Sequence, residues 1–492
     1  MTDRIVLRSS ADMTLAQAER LAFDGADVEI GEEAVRHINR GRARFESFLE
    51  ARGGYVYGST TAPGSRAKVL LSEQDSLRQG ETLRNFVPSR AGASGAMLSE
   101  RCVKLAIFAR LSNAMTGSGK LRSGTTQAIA NLLHAVPDVP LHGVACSGEV
   151  MPLTWLMAPL LDLPLAIGEA MALVNGSPFA TAMACDVAFT TKRRLRLAEL
   201  VFALSIEAAE CPAAHFDRRL AEGWKDSYYA DSLNNLHTLL RDSTRKQLRH
   251  QAPTSWRVIP NILASAWRSV AQVSQSAEIG LQSLKDNPTF IRDPTGEEND
   301  VVLSSAGYHD HRASKDIDQV NSALADLCEL ASRQVTHMLD GVALGLPPLL
   351  ARPGEGVGAE YLAWAMTEPL ATVRRAAEAT TLAIGLQDPA GNQSDIASLS
   401  FVAYGKHLEV VRSFDVCLAC LAVTAMLAVE FRDNVHPLLK RWLLSQVNDL
   451  VRSVDKRVDV VGEPLRQTRE FFRQCVDGMS TTEFAQHMAG DS

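Results

Sequence analysis

The sequence predicts a mainly α protein, with a mixed N-terminal domain over residues 1–186 followed by a bundle of long helices over 187–492. Two observations carry this. Gly, Pro and short apolar runs are interleaved through about the first 180 residues, the texture of a compact domain with many short elements and loops. From about residue 187 the texture changes, and "RLRLAELVFALSIEAAE", "ILASAWRSVAQVSQSAEIGLQSL", "DIDQVNSALADLCELASRQVTHML" and "SFDVCLACLAVTAMLAVEF" space apolar residues at helical period over several turns.

Gly/Pro segments such as "GLPPLLARPGEGVG" join these helices, as expected of a bundle. Many of the helices carry apolar residues on more than one face. Bundle helices of that kind bury the extra face against other subunits, so an oligomer is expected.

Composition narrows the function. At 492 residues the chain is long enough for one large domain or two fused ones. Its 46% hydrophobic and 22% charged content is ordinary for a globular protein in water. A formal net charge of -7 argues against a nucleic-acid partner. The densest cationic run, "KRRLRL" at 192–197, reads as a solvated or subunit-facing stripe of a helix.

Eight scattered cysteines and an N-terminus, "MTDRIVLRSS", without an apolar signal region point to a reducing, cytoplasmic setting. Cys417 and Cys420 read as buried helix residues, since no second Cys or His pair lies at zinc spacing. Their apolar run is shorter than the roughly 20 residues a bilayer needs. The longer run at 150–174 is broken by Pro152, Pro159, Pro164, Asp162 and Glu169, so no membrane segment is expected.

Two motifs are discarded on spacing. "TGSGKL" (116–121) lacks the first Gly and the final Ser/Thr of a phosphate-binding loop, having Ala114 and Leu121 there. His309 and His311 in "GYHDHR" have no third ligand nearby, and no metal site is expected.

Two Ser-Gly triplets remain, Ala93-Ser94-Gly95 in "SRAGASGAML" and Cys146-Ser147-Gly148 in "LHGVACSGEVMPL". Their surroundings separate them. "VYGSTTAPGS" (56–65) resembles the "VYGVNTGFG" loop of the histidine and aromatic amino-acid ammonia-lyases. "LRNFVPSRAGASG" (83–95), "VACSGEVMPL" (144–153) and "EAMALVNG" (169–176) resemble that family's "LxxNLVLSHAAGVG", "VGASGDLAPL" and "EGLALING". "AHFDRR" (214–219), "TSWRVIP" (254–260), "KDNP" followed by "VLSSAGYH" (302–309), and "GNQSD" (391–395) continue the series in order. The chain is identified on these as a divergent member of the family along nearly its whole length.

The resemblance implies that Ala93-Ser94-Gly95 is an ordinary Gly-rich turn. It implies that Cys146-Ser147-Gly148 condenses on itself into a methylidene-imidazolone (MIO) ring, an electrophilic prosthetic group built from the chain. The residue types suit this. The Gly148 nitrogen must reach the carbonyl carbon of residue 146, which glycine alone leaves sterically open, and Ser147 supplies the methylene. The side chain of the first residue takes no part, so Cys146 is permissible there. Tyr57 matches the tyrosine that removes a carbon-bound proton, Asn175 the asparagine beside the ring, and Arg257 the arginine that clamps the substrate carboxylate. The expected assembly is a homotetramer with active sites shared among subunits, and the expected partner is a small-molecule amino acid substrate.

Departures from the family are also informative. Thr254 replaces a tyrosine, Ser394 an acid, Gly307 an asparagine with Tyr308 replacing its phenylalanine neighbour, and Glu149 an aspartate. In the position that reads the substrate side chain stand Ser89 and Arg90. Gaining Arg90 while losing an acid at Ser394 favours an anionic or strongly polar side chain. The expected activity is ammonia elimination from a non-standard amino acid. An aminomutase on the same scaffold, or a ring-less member with a binding role or other chemistry, stands as the alternative.

Overall fold

Among the described residues, four helices have 24 residues or more: Pro178–Ala208, Ile259–Gln282, Arg312–Asp340 and Ser400–Val429. They coincide with the four stretches of helical apolar spacing. The computed structural model describes residues 3–52, 54–241, 243–247, 251–354, 358–380, 395–432 and 463–489. Ends of the long helices follow local chemistry. Pro178 opens the first helix, where its missing N–H costs nothing. Gly341, at φ +75, closes the third after its N–H bonds His337 O.

By packing, the chain forms two compact units. The first comprises Met1–Ala188 together with Val273–Ile317 and Ala379–Gly405. Residues 273–317 and 379–405, which the sequence reading assigns to the bundle, thus belong with the N-terminal residues. The first unit holds three two-stranded ladders: β1 (Arg4–Leu7) parallel to β2 (Asp27–Ile30), β3 (Ser94–Met97) antiparallel to β4 (Pro140–His142), and β5 (Thr289–Ile291) antiparallel to β6 (Val301–Leu303). Helix Glu100–Met115, capped by the Ser99 hydroxyl, is buried on nearly every face. Phe45, Val56 and Phe290 make a core cluster that ties β5 to the loop carrying Tyr57.

The second unit is helical, and it corrects one expectation. Within "KRRLRL", Lys192 is exposed, but Arg193 and Arg194 are buried rather than solvated. Arg193 is 2% exposed and donates to the carbonyls of Cys475, Val476 and Met479, while Arg194 forks onto both carboxylate oxygens of Asp415 at 2.9 and 3.0 Å. The reason is the end of helix Glu463–Arg473 and its following turn Gln474–Gly478, whose carbonyls have no intrahelical partner and take a guanidinium instead. Cys417 and Cys420 are buried on helix Ser400–Val429. That helix, at 30 residues, is longer than the apolar run suggested and is long and apolar enough to cross a membrane, but 78% of its most apolar window is buried inside the protein.

Candidate active site

The Cys146-Ser147-Gly148 triplet leaves β4 and enters a tight turn, Ser147–Glu149, before helix Val150–Leu156. Two consecutive residues of that turn are left-handed, Gly148 at φ 67 and Glu149 at φ 51. Such a backbone is disfavoured for any side chain, so the surroundings must hold it. Glu149 does this. Its two carboxylate oxygens accept the backbone N–H groups of Phe179 (2.7 Å) and Ala180 (2.8 Å), the open donors at the start of helix Pro178–Ala208. The triplet is thereby bolted to a helix end. Burial pushes Glu149 up to about 8, against the pull of those two amides and of the Lys285 ammonium. Burial likewise brings Lys285 down to about 8, opposed by Asp310 and Glu149, with its ammonium bonded to Thr181 Oγ1.

Around Gly148 there is no spare room. A Cβ there would lie 2.6 Å from Asn175 Oδ1 and 3.3 Å from Tyr308 Cδ2. Asn175 is itself fixed: its carbonyl accepts from Arg110 Nη1 at 3.0 Å and its N–H donates to Met171 O at 3.0 Å. Next to it, Gly176 N–H donates to Gly148 O at 3.0 Å. Among the described residues the buried Asn175 Oδ1 has no hydrogen-bond partner, an acceptor left open beside the triplet. A glycine-only cradle with an open acceptor fits a group closed at the Gly148 nitrogen.

Tyr57 reaches the same cavity from the loop after helix Glu32–Arg52. Its hydroxyl accepts the Gly64 N–H at 2.9 Å, and burial raises its ionisation above that of an ordinary phenol. The loop is shaped by Val56 O, which accepts from Ser59 N and Thr60 N, and by Gly58 at φ +65. A Cβ on Gly58 would overlap Met171 Cγ at 1.9 Å. Replacing Gly58 with alanine is expected to cost about 2–4 kcal/mol through backbone strain and overpacking, read as a drop of several degrees in Tm by calorimetry. Because Met171 lies one turn before Asn175, activity should fall further than stability alone explains.

The cavity has a volume of about 390 Å³ and brings together Tyr57, Ser147, Gly148, Asn175 and Tyr308 of the residues expected from sequence. Cys146 sits just beneath it, its Sγ accepting Met151 N–H at 3.4 Å, with burial pushing the thiol up to about 11.

Ser89 and Arg90 do not line the cavity; Phe86 does, from the same segment. Ser89 Oγ donates to Phe86 O at 2.6 Å. Arg90 Nη2 donates to Thr154 O at 2.5 Å, and its guanidinium lies over the Trp155 ring at 5.2 Å from the centroid. A carbonyl and an aromatic face on helix Val150–Leu156 together outcompete the cavity for this side chain. Arg257, in the second unit, ends the short helix Thr254–Arg257 and donates to Thr254 Oγ1 at 3.1 Å. Ser394 lies outside the described residues.

Ala93-Ser94-Gly95 is not an ordinary turn. Ser94 and Gly95 begin β3, and Ser94 pairs with His142 at the entrance to the Cys146-Ser147-Gly148 triplet. A four-residue strand whose register shifts along its length has no alternation to read in sequence. Sequence reasoning also missed Tyr55, Asn287, Met171 and Ser304 in the cavity wall. For Asn287 the signal was present, in the "KDNP" match; for Glu149 it was an acid beside the triplet with an unassigned role.

The model of the aromatic amino acid lyase family matches residues 13–162 and 158–453. A histidine ammonia-lyase of Bacillus velezensis is 24% identical over 490 residues, covering 92% of this chain and 93% of that protein. One from Streptococcus pyogenes is 24% identical over 473 residues, covering 89% of each. Among solved structures, the ergothionase of Treponema denticola superposes with a TM-score of 0.84 at 16% identity, covering 96% of this chain and 99% of that one. The phenylalanine aminomutase of Pantoea agglomerans does so with a TM-score of 0.83 at 19% identity, covering 95% and 99%. With the family model spanning most of its length, the chain belongs to the aromatic amino acid lyase family of enzymes.

Proposed function

We propose that the protein is an ammonia-lyase acting on a non-standard amino acid with a polar side chain, using an MIO ring formed from Cys146, Ser147 and Gly148. The observation that carries this is the closure of Asn175 and Tyr308 over a left-handed Gly148, with Tyr57 on the same cavity. Once formed, the ring supplies an electrophilic methylene that makes the substrate's amine a leaving group. The chain's own residues do the rest. Glu149 holds the turn, Asn175 offers an oxygen to an N–H beside it, and Tyr57 faces the carbon-bound proton. Arg257 is assigned to the substrate carboxylate, in a homotetramer whose sites draw on more than one chain. The exposed Tyr55 (69%) and Leu77 (61%) are apolar surface that such an assembly would cover.

The side-chain preference is read from the wall. No charged side chain of the described residues lines the cavity, and Arg90 is engaged elsewhere. This supports a polar, uncharged substrate side chain over an acidic one. Arg90→Gln is therefore expected to lower stability by about 1–2 kcal/mol, for the lost charged hydrogen bond and ring contact, with the ratio of kcat/KM for neutral over acidic amino acids unchanged. A selective loss for acidic substrates would instead return Arg90 to the substrate.

The primary test is intact mass with peptide mapping across residues 141–153, followed by ammonia release from a panel of polar amino acids. Loss of two molecules of water at the triplet, with an unsaturated acid as product, supports the lyase. Recovery of an amino acid with its nitrogen on the neighbouring carbon marks an aminomutase. An unmodified triplet sinks the reading.

A further inference from the structure

Eliminating an amine takes two proton transfers, one from carbon to a base and one from an acid to the departing nitrogen. The described residues lining the cavity include no carboxylate, ammonium, guanidinium or imidazole; their ionisable groups are three phenols, Tyr55, Tyr57 and Tyr308. Tyr55 stands at the mouth, 69% exposed. Tyr57 already accepts the Gly64 N–H, which suits an oxygen that takes a proton. The Ser305 hydroxyl is committed to Asp286 O at 2.9 Å.

Tyr308 differs from all of these. Its backbone is locked: His309 N–H closes the turn onto Ala306 O at 2.9 Å, and Ser305 N–H bonds Asn287 Oδ1 at 2.9 Å. Gly307 is pressed onto the 284–286 segment, where a Cβ would lie 3.2 Å from Asp286 O and 3.3 Å from Leu284 O. The ring is thus held with Cδ2 3.3 Å from the position a Gly148 Cβ would take. Among the described residues no hydrogen bond engages its hydroxyl, a donor on the cavity wall.

Resting on the elimination chemistry proposed above, we propose that Tyr308 is the general acid of the reaction, paired with Tyr57 as base. The Tyr57 phenolate takes the carbon-bound proton, and the C–H electron pair becomes the new double bond as the C–N bond breaks. The amine, uncharged as it leaves, takes the Tyr308 hydroxyl proton and departs as ammonia. The proton on Tyr57 then passes to the Tyr308 phenolate across the cavity, which regenerates the Tyr57 phenolate and the Tyr308 phenol.

The test is Tyr308→Phe in the full-length protein. We expect kcat to fall about 10²-fold with KM changed by less than about threefold, and the basic limb of the kcat–pH profile to disappear, because that limb reports the acid losing its proton. Independently of activity, ultraviolet titration of tyrosinate should show Tyr57 ionising at lower pH in the variant. Tyr308→His should restore part of the rate, with the basic limb moved down toward the imidazole range of about 6.5. A wild type active on amino acids whose kcat and basic limb survive Tyr308→Phe overturns the assignment. A wild type that neither releases nor moves the amino group overturns the elimination reading itself.

Discussion

Gly148→Ala is expected to yield a folded protein of unreduced mass at residues 146–148, with ammonia release lower by at least about 10³-fold, a modest share of what enzymes supply over uncatalysed reaction. Two costs converge on this position. The turn requires φ near 67 at Gly148, followed by a second left-handed residue at Glu149, and a methyl group makes that conformation strained by about 1–3 kcal/mol. The methyl would also stand 2.6 Å from Asn175 Oδ1, well inside contact distance. Asn175 cannot retreat freely, because its backbone is tied to Arg110 and Met171. The chain should therefore relieve the clash by opening the turn, which takes the residue-148 nitrogen away from the residue-146 carbonyl. Intact mass reads ring closure and circular dichroism reads the fold. A variant that still loses water at the triplet would show that the cradle is not needed for ring closure.

Tyr57→Phe is expected to lower kcat by about 10²–10⁴-fold, the usual worth of a positioned base, while leaving the mass of the triplet as in the wild type. It separates ring building from ring use. The pH dependence gives the sign. A base acts deprotonated, so a group whose ionisation is raised leaves its active form scarce at low pH. Burial raises Tyr57, with the Gly64 N–H only partly offsetting it. Wild-type kcat/KM should therefore climb as pH rises across the neutral range toward the ordinary phenol value of about 10. The variant should lose that climb. A flat wild-type profile over the same range would exclude Tyr57 as the base. The two phenols are distinguishable in one experiment, since Tyr57 governs the rising limb and Tyr308 the falling one.

Much of this protein is legible in its sequence, and the reason is locality. The four long helices follow from apolar residues three and four apart, a pattern completed within a few turns. Gly148 is legible because the ring closure proposed above demands glycine at one position. Tyr57, Asn175, Ser147 and Tyr308 follow from ordered motifs, and all reach one cavity.

What only the tertiary structure decided is where long or charged side chains end, because their partners are distant in sequence. Arg90 carries the same charge whether it faces a substrate or the Thr154 carbonyl, and the nearer acceptor with an aromatic face wins. Arg193 reads as a surface charge until the open carbonyls of Cys475 to Met479 are placed against it, 282 and more residues away. Glu149 looks like a minor substitution until the start of helix Pro178–Ala208 presents two unpaired amides to it, 30 residues on. Periodicity and glycine conformation are properties of a short segment and can be read from it. The partner of a buried charge is a property of the folded chain, set by whichever unsatisfied donor or acceptor packing brings within about 3 Å.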